Sequence, residues 1–371
     1  MPVRGEVTLR LASLCADGER SIDELERFRV EEAVTANEVR AYGNLALARA
    51  LKAERFDVAE WLCNTFALDD DALDIWNGRS LVDFSHAALC WAARRFQQAP
   101  PCIPHRIAAH CRDLERQHDI VILFAVENGS RAWGMESADS DYDVRFVFVY
   151  RDLATYFRVQ PPKLVVSAAF DEDGNPLSTA QGALIDMSGF DVTKYAKLLG
   201  ASNPTAIEWT LSPVLYCGRE ETRSLFRDYA AKHFVSISLY WHYKSMSRKH
   251  REKFIAGCEA VAPKKYMYAL RGAANALWVA AQNSLPPILF EEAYRRQLPR
   301  AVSDELDAVI AAKKQGREAV KEERIPVFDD WLEGFLADDS GAPAKTRVSE
   351  EGKKMLDAIV AEIVCAHSAF A

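Results

Sequence analysis

The 371-residue chain contains no window approaching eighteen uninterrupted apolar residues, so no membrane-spanning helix is expected. Its first residues, MPVRGEVTLRLASL, have no long apolar core followed by a cleavage site, which argues against an export signal. Paired cysteines are missing as well. The eight stand apart at Cys15, Cys63, Cys90, Cys102, Cys111, Cys217, Cys258 and Cys365, with no spacing that marks a zinc ribbon or a redox couple. Scattered thiols fit a reducing compartment, with the cytoplasm as the default and the nucleus equally compatible. Nor is there an excess of positive charge. Forty-six Lys and Arg against 54 Asp and Glu leave a net charge of −8, which excludes binding nucleic acid over the whole surface but leaves room for a local basic groove. What is present is ordinary for a globular protein, 49% hydrophobic and 27% charged, and too long for one core, so two or three domains are expected.

Residues 1–100 read as a helical N-terminal domain with short acidic or polar turns. Ser21 and Glu24 have the spacing of a capping box, in which a hydroxyl and a carboxylate satisfy backbone donors left over at a helix start. LALARALKAERF at 45–56 and SHAALCWAARRF at 85–96 share Ala48/Ala88, Ala53/Ala93, Arg55/Arg95 and Phe56/Phe96 at an offset of 40 residues. This resembles a degenerate ankyrin-like repeat; the alternative is a small helical domain with Ala-rich packing. The prolines of APPCIP at 99–104 form a boundary, and a helix is expected from His105 to Gln117. Cys102, His105, His110 and Cys111 are close in sequence but match no zinc spacing, and adjacent residues leave a helix on different faces.

The chemistry concentrates in ENGSRAWGMESADSDYDVRFVFV, residues 127–149. DIVILFAVE at 119–127 is nearly continuous in apolar residues, as in a strand buried in a sheet. Gly129 and Ser130 then turn the chain, and a glycine that permits close backbone approach beside outward-pointing amides makes a phosphate cradle. Eleven residues after Ser130, DYDVRFVFV begins a second strand. Asp141 and Asp143 share one face because side chains alternate along a strand, and two like charges side by side call for a cation; Mg²⁺, held by a few carboxylates and substrate phosphates, suits them.

GS, a polar loop and SDYD together resemble the signature of the DNA polymerase β-type nucleotidyltransferase superfamily. The longer string is similar to a branch of predicted nucleotidyltransferases that includes RNA-ligase-associated proteins. KLLGASNPTAIEWTLSPVLY at 197–216, KKYMYALRGAANALW and PPILF are similar to later blocks of that branch, so the resemblance spans Ile120 to about Pro287. Asn128 stands where many members carry Ser, a change not expected to remove the turn. The resemblance implies an α+β fold: a minimal nucleotidyltransferase domain of mixed sheet and flanking helices at 101–191, between the helical region 1–100 and a helical substrate-side region at 192–371. It also implies a third carboxylate on a neighbouring strand. VVSAAF, the turn DEDGNP and a run through ALIDM read as a hairpin ending at Asp186, eight residues before Lys194; Asp191 is the competitor, with helix N-capping as its ordinary role.

Three acids would hold two Mg²⁺ or Mn²⁺ ions, with Asp141, Asp143 and Asp186 as ligands, and move a nucleoside monophosphate from a nucleoside triphosphate to a hydroxyl with release of pyrophosphate. Gly129 and Ser130 would hold terminal phosphates, with Arg131, Arg145 and Lys194 on the nucleotide side; a salt bridge to an acid is the competing role for Arg145, which shares the parity of the two aspartates. Downstream, Lys244, Arg248 and Arg251 recur at helical spacing near Lys249 and Lys253, either as a solvated face or as a groove for triphosphate or nucleic acid, which Lys264, Lys265 and Arg271 could extend. Tyr240, Trp241, Tyr243, Tyr266 and Tyr268 are either core or stacking surfaces. The basic helix and the RNA-repair association favour an RNA end as acceptor. The alternatives are a protein or small-molecule acceptor, or a non-catalytic nucleotide-binding scaffold with a protein partner on the N-terminal helices.

Overall fold

The computed structural model describes residues 5–35, 39, 46–47, 49–66, 68, 88, 91–92, 95, 103–137, 140–160, 162–314 and 322–369. The chain parts into two compact units, Met1–His118 and Asp119–Ala371. The first unit carries α1 (Gly5–Ala16), α2 (Ile22–Glu31), α3 (Phe56–Phe66) and α4 (Ile103–His118). The capping box forms: the Ser21 hydroxyl accepts from the Glu24 amide while the Glu24 carboxylate accepts from the Ser21 amide. Leu11, Cys15, Leu25, Leu51 and Leu62 are among the side chains that close its core. The expected helix from His105 is α4, begun two residues earlier at Ile103. His110 and Cys111 are both buried, and no metal-binding group of three His, Cys, Asp or Glu exists among the described residues. Ala48, Ala93, Phe96, Cys90 and Cys102 lie outside the described residues, and the proposed repeat with them.

The second unit is built on a mixed six-stranded sheet. Its strands are β1 (Ile120–Asn128), β2 (Tyr142–Tyr150), β3 (Val165–Phe170), β4 (Pro176–Leu177), β5 (Ile185–Asp191) and β6 (Leu215–Gly218), in the order β4-β3-β5-β2-β1-β6. Between β1 and β2 lies the four-residue α5 (Gly129–Ala132). β1 and β2 pair antiparallel, β2 and β5 parallel, and β3 pairs antiparallel with both β4 and β5. The expected hairpin is therefore present, with β4 added at its tip. The sheet also takes β6 from beyond residue 191, the limit the sequence set for this domain.

After β5 come α6 (Val192–Gly200), α7 (Pro204–Leu211), α8 (Glu220–His233), α9 (Ser236–Phe254), the short strand β7 (Ala260–Val261), α10 (Pro263–Gln282), α11 (Phe290–Gln297), α12 (Arg300–Lys314), β8 (Glu322–Glu323), α13 (Pro326–Ala337) and α14 (Glu350–His367). One sheet face, with Phe124, Val126, Val147 and Phe190, packs on Tyr195, Trp209, Phe226 and Tyr240 from α6 to α9, which makes a single apolar cluster. α9 and α10 cross in backbone contact at Gly272, where a Cβ would lie 2.9 Å from the Ser247 amide nitrogen and from the Tyr243 carbonyl oxygen.

The basic stripe of α9 is neither a solvated face nor an open groove. Lys244 is fully buried, with its ammonium on Asp339 Oδ1 at 2.8 Å and on the Asp338 carbonyl; Arg248 donates to the Leu336 carbonyl and Arg251 pairs with Glu333. Three cations thus dock the C-terminal end of α13, where unpaired carbonyls and the helix dipole favour positive charge. Tyr240, Tyr243 and Tyr266 are buried and belong to the core, whereas Tyr268 remains partly accessible.

Candidate active site

The turn between β1 and α5 is shaped by the acid that packs on it. Gly129 has φ +67°, in the left-handed region, and a Cβ there would stand 2.0 Å from Asp143 Oδ2. Only a residue without a side chain lets the carboxylate lie that close to the turn. Ser130, buried, opens α5, and Asn128 supplies no side-chain cap to its first amides. Glu127 fastens both strands from beneath. Its Oε1 accepts from the Asn128 amide at 3.1 Å and from the Asp143 amide at 3.0 Å, and Oε2 accepts from the Tyr216 hydroxyl. Burial pushes the Glu127 carboxyl up to about 7, against the pull of those donors. Neither Glu127 nor Tyr216 was singled out in the sequence; the available signal was a carboxylate closing an otherwise apolar strand.

The register decides which acids meet. Asp143 on β2 stands beside Asp186 on parallel β5, and parallel neighbours share a face. Asp141 lies exposed on the loop just before β2. Burial raises the Asp143 carboxyl, and after the lowering effect of Arg145 come further raising contributions from Asp141 and Asp186, so both neighbouring acids act on Asp143. Asp191 has the opposite parity. It is fully buried as the N-cap of α6, accepting from the Thr193 amide at 2.9 Å and the Tyr156 hydroxyl at 2.8 Å.

The cations divide into three roles. Arg145 Nη2 bridges Asp143 Oδ1 and Asp186 Oδ2, each at 2.8 Å, so the ion pair considered for it is present and double. Arg131 lies with its guanidinium 3.9 Å from the centre of the Tyr142 ring and donates to the Ser140 and Asp141 carbonyls, bracing the acidic loop. Lys194 is not brought to the acids. Its ammonium sits over the Phe190 ring at 4.5 Å, and Phe190 is four residues, about 13 Å of strand, from Asp186. Lys264 of α10 is near enough for its charge to lower the Asp143 carboxyl, the smallest of the contributions there. Arg271 is buried and leaves any groove: it pairs with Glu208 at 2.7 Å and stacks 3.6 Å from the centre of the Trp133 ring, while Trp133 and Tyr243 also donate to Glu208.

For a divalent cation, the donor chemistry fits: three carboxylates, oxygen-only, with charge still in excess after one arginine. The closest approach is incomplete, because among the described residues no three such side chains converge on one point and the Arg145 guanidinium lies between Asp143 and Asp186.

Comparison with known proteins bears on this geometry. A family model described as RNA repair pathway DNA polymerase beta family matches residues 103–361, well over half of the chain. The chain is similar to the uncharacterised protein YcgL of Bacillus subtilis (strain 168), 28% identical over 261 residues that cover 68% of this chain and 95% of that protein. No solved structure matches the chain.

Proposed function

The chain belongs to the RNA repair pathway DNA polymerase beta family, and on that premise we propose that it is a metal-dependent nucleotidyltransferase that moves a nucleoside monophosphate from a nucleoside triphosphate to a hydroxyl, with an RNA end as acceptor. The observation that carries this reading is the placement of Asp143 beside Asp186 and directly over Gly129, which sets a paired carboxylate against a turn able to take phosphate.

In the proposed reaction the acceptor oxygen attacks the α-phosphorus, the bond to the bridging oxygen breaks, and pyrophosphate leaves. Mg²⁺ or Mn²⁺ bound by Asp141, Asp143 and Asp186 would supply charge neutralisation at the phosphates and lower the pKa of the attacking hydroxyl. Asp186 is the candidate to take the hydroxyl's proton. The Gly129–Ser130 turn holds terminal phosphates with backbone amides and the Ser130 hydroxyl, and Arg145, already facing that side, can exchange a carboxylate for a phosphate oxygen. Arg131 acts through the loop it braces, and Glu127 keeps turn and acid strand in register through the two amides it holds.

The test is to incubate the chain with each α-labelled nucleoside triphosphate, Mg²⁺ or Mn²⁺, and an RNA pool, beside the Asp141→Ala/Asp143→Ala variant. Label in RNA that the variant does not transfer is the expected result. Label in the protein itself, or in a small molecule, would move the acceptor to those classes. Absence of pyrophosphate release with every nucleotide would leave a nucleotide-binding scaffold as the better reading.

A further inference from the structure

Near Asp143, α9 and α10 build an aromatic row that leaves the core at Tyr268, which packs on the helical cluster containing Trp133. Tyr268 meets Trp133 of the turn edge-on at 5.6 Å, the His250 ring stacks on Tyr268 at 5.4 Å with planes 7° apart, and Phe254 follows at 5.7 Å from His250. His250, Phe254 and Tyr268 all remain partly accessible. Tyr268 lies near enough to the acids that, after burial and Lys264, the charges of Asp143 and Asp141 act on its hydroxyl. The row therefore starts at the reaction centre and runs outward.

Its charge is the second observation. Lys265 and Lys253 place their ammonium groups over the same Phe254 ring, at 4.2 Å and 5.0 Å, and neither forms an ion pair with an acid among the described residues. Both also act on His250, whose pKa is lowered first by burial and then by these two lysines. Two cations gathered on one ring, in a chain with a net charge of −8, oppose the general trend of the surface. Lys264 and Lys265 moreover occupy the first turn of α10, where the helix dipole disfavours positive charge and Ala262 provides no side-chain cap. The same position carries acids in α2, α8, α11 and α14.

We propose that the His250–Tyr268–Phe254 row, with Lys253 and Lys265, is the binding wall for the single-stranded end of the acceptor polynucleotide. Bases stack on the exposed rings while the lysines take the phosphates, the combination that tracks single strands without reading sequence. This rests on the nucleotidyltransferase reading in that the wall leads the end to the acids, yet it can be tested without catalysis.

Binding of fluorescein-labelled single-stranded RNA and DNA of about ten nucleotides is followed by anisotropy, with no nucleotide or divalent ion, on the full chain. Lys253→Ala/Lys265→Ala is expected to weaken binding about tenfold or more and to reduce the salt slope by about two. His250→Ala is expected to cost about fivefold or more and His250→Phe to restore most of it, a rescue that a merely structural role for the imidazole would not give. A fluorescent ATP analogue should bind all these variants as it binds the parent. Asp141→Ala/Asp143→Ala should retain oligonucleotide binding, so an inactive enzyme with an intact wall refutes the catalytic reading alone. RNA or DNA bound with this dependence sustains the proposal. It is overturned if no single strand binds, if the wall variants bind it unchanged, if blunt duplex of equal length binds as well, or if the loss falls on the ATP analogue instead.

Discussion

Two charge clusters, one buried among the helices and one partly open at the sheet, follow opposite rules. On the helical side, Glu208 meets one arginine, Arg271, at 2.7 Å, and takes further donors from Trp133 and Tyr243; one charge is answered by one charge and the spare lone pairs are filled. On the sheet side, Asp143 and Asp186 share Arg145 with Asp141 on the loop beside them, and buried Glu127 is held by neutral donors beneath. Pairing of the first kind ties α7, α9 and α10 to the turn and serves the fold. An excess of like charge weakens the folded state, which is the arrangement expected where a cation binds, as proposed for these acids.

Substitutions can break this contrast. The largest separation is expected from Asp143→Ala, which should lower nucleotidyl transfer on the order of 10³-fold or more while leaving the urea midpoint unchanged or higher, since a burial-strained carboxyl is removed. A drop in stability with activity intact would place Asp143 with the structural pairs. Glu208→Ala should do the reverse, costing about 3–5 kcal/mol in urea unfolding because Arg271 remains buried without its partner; Glu208→Gln should recover a large part by keeping the acceptor for Tyr243. Gly129→Ala forces a Cβ against Asp143 at φ +67°, with a stability cost of about 1–3 kcal/mol. Its kcat should fall more than its KM rises, as the acid and turn are pushed apart. The smallest effect belongs to His250. Burial and the neighbouring lysines lower its folded pKa, so the native state binds fewer protons than the unfolded chain, and stability should fall as pH drops from about 6.5 toward the lower native value. The half-buried ring limits this to less than about 1 kcal/mol, and the difference between the parent and His250→Phe profiles separates it from the same-signed shares of His242 and His367 and from the opposite slope of Glu127, whose raised carboxyl favours the folded state as pH falls.

Much of the β1–β2 region was readable because it depends on local pattern. The apolar run of β1, the glycine turn, the alternation of β2 and the capping box of α2 each follow from neighbouring residues, and all are present. Asp186 and Asp191 differ in parity along β5, but only the parallel pairing of β2 with β5 establishes which parity meets Asp143. The misplacements came from long-range packing. Lys244, Arg248 and Arg251 read as a basic face, yet that face is covered by α13, which lies some 80 residues later. Lys194 sits close to Asp186 in sequence but on the far end of the strand, over Phe190. Arg271 belonged by spacing with Lys264, about two helical turns earlier, but it lies in the buried middle of α10, where it pairs with Glu208.

The sequence by itself determined where a glycine turn and two acids would stand, because helix and strand periodicity and the steric freedom of Gly129 act over a few residues. Tertiary structure alone decided which charges answer one another: that Glu127 holds the amide of Asp143, that Arg145 joins two acids from different strands, that the charge of Lys264 reaches Asp143, and that an aromatic row begins at Tyr268. Such partnerships join residues as many as 100 or more positions apart through strand register and helix crossing, and Coulomb and hydrogen-bond energies fall off within a few ångströms, so only the folded chain can select them.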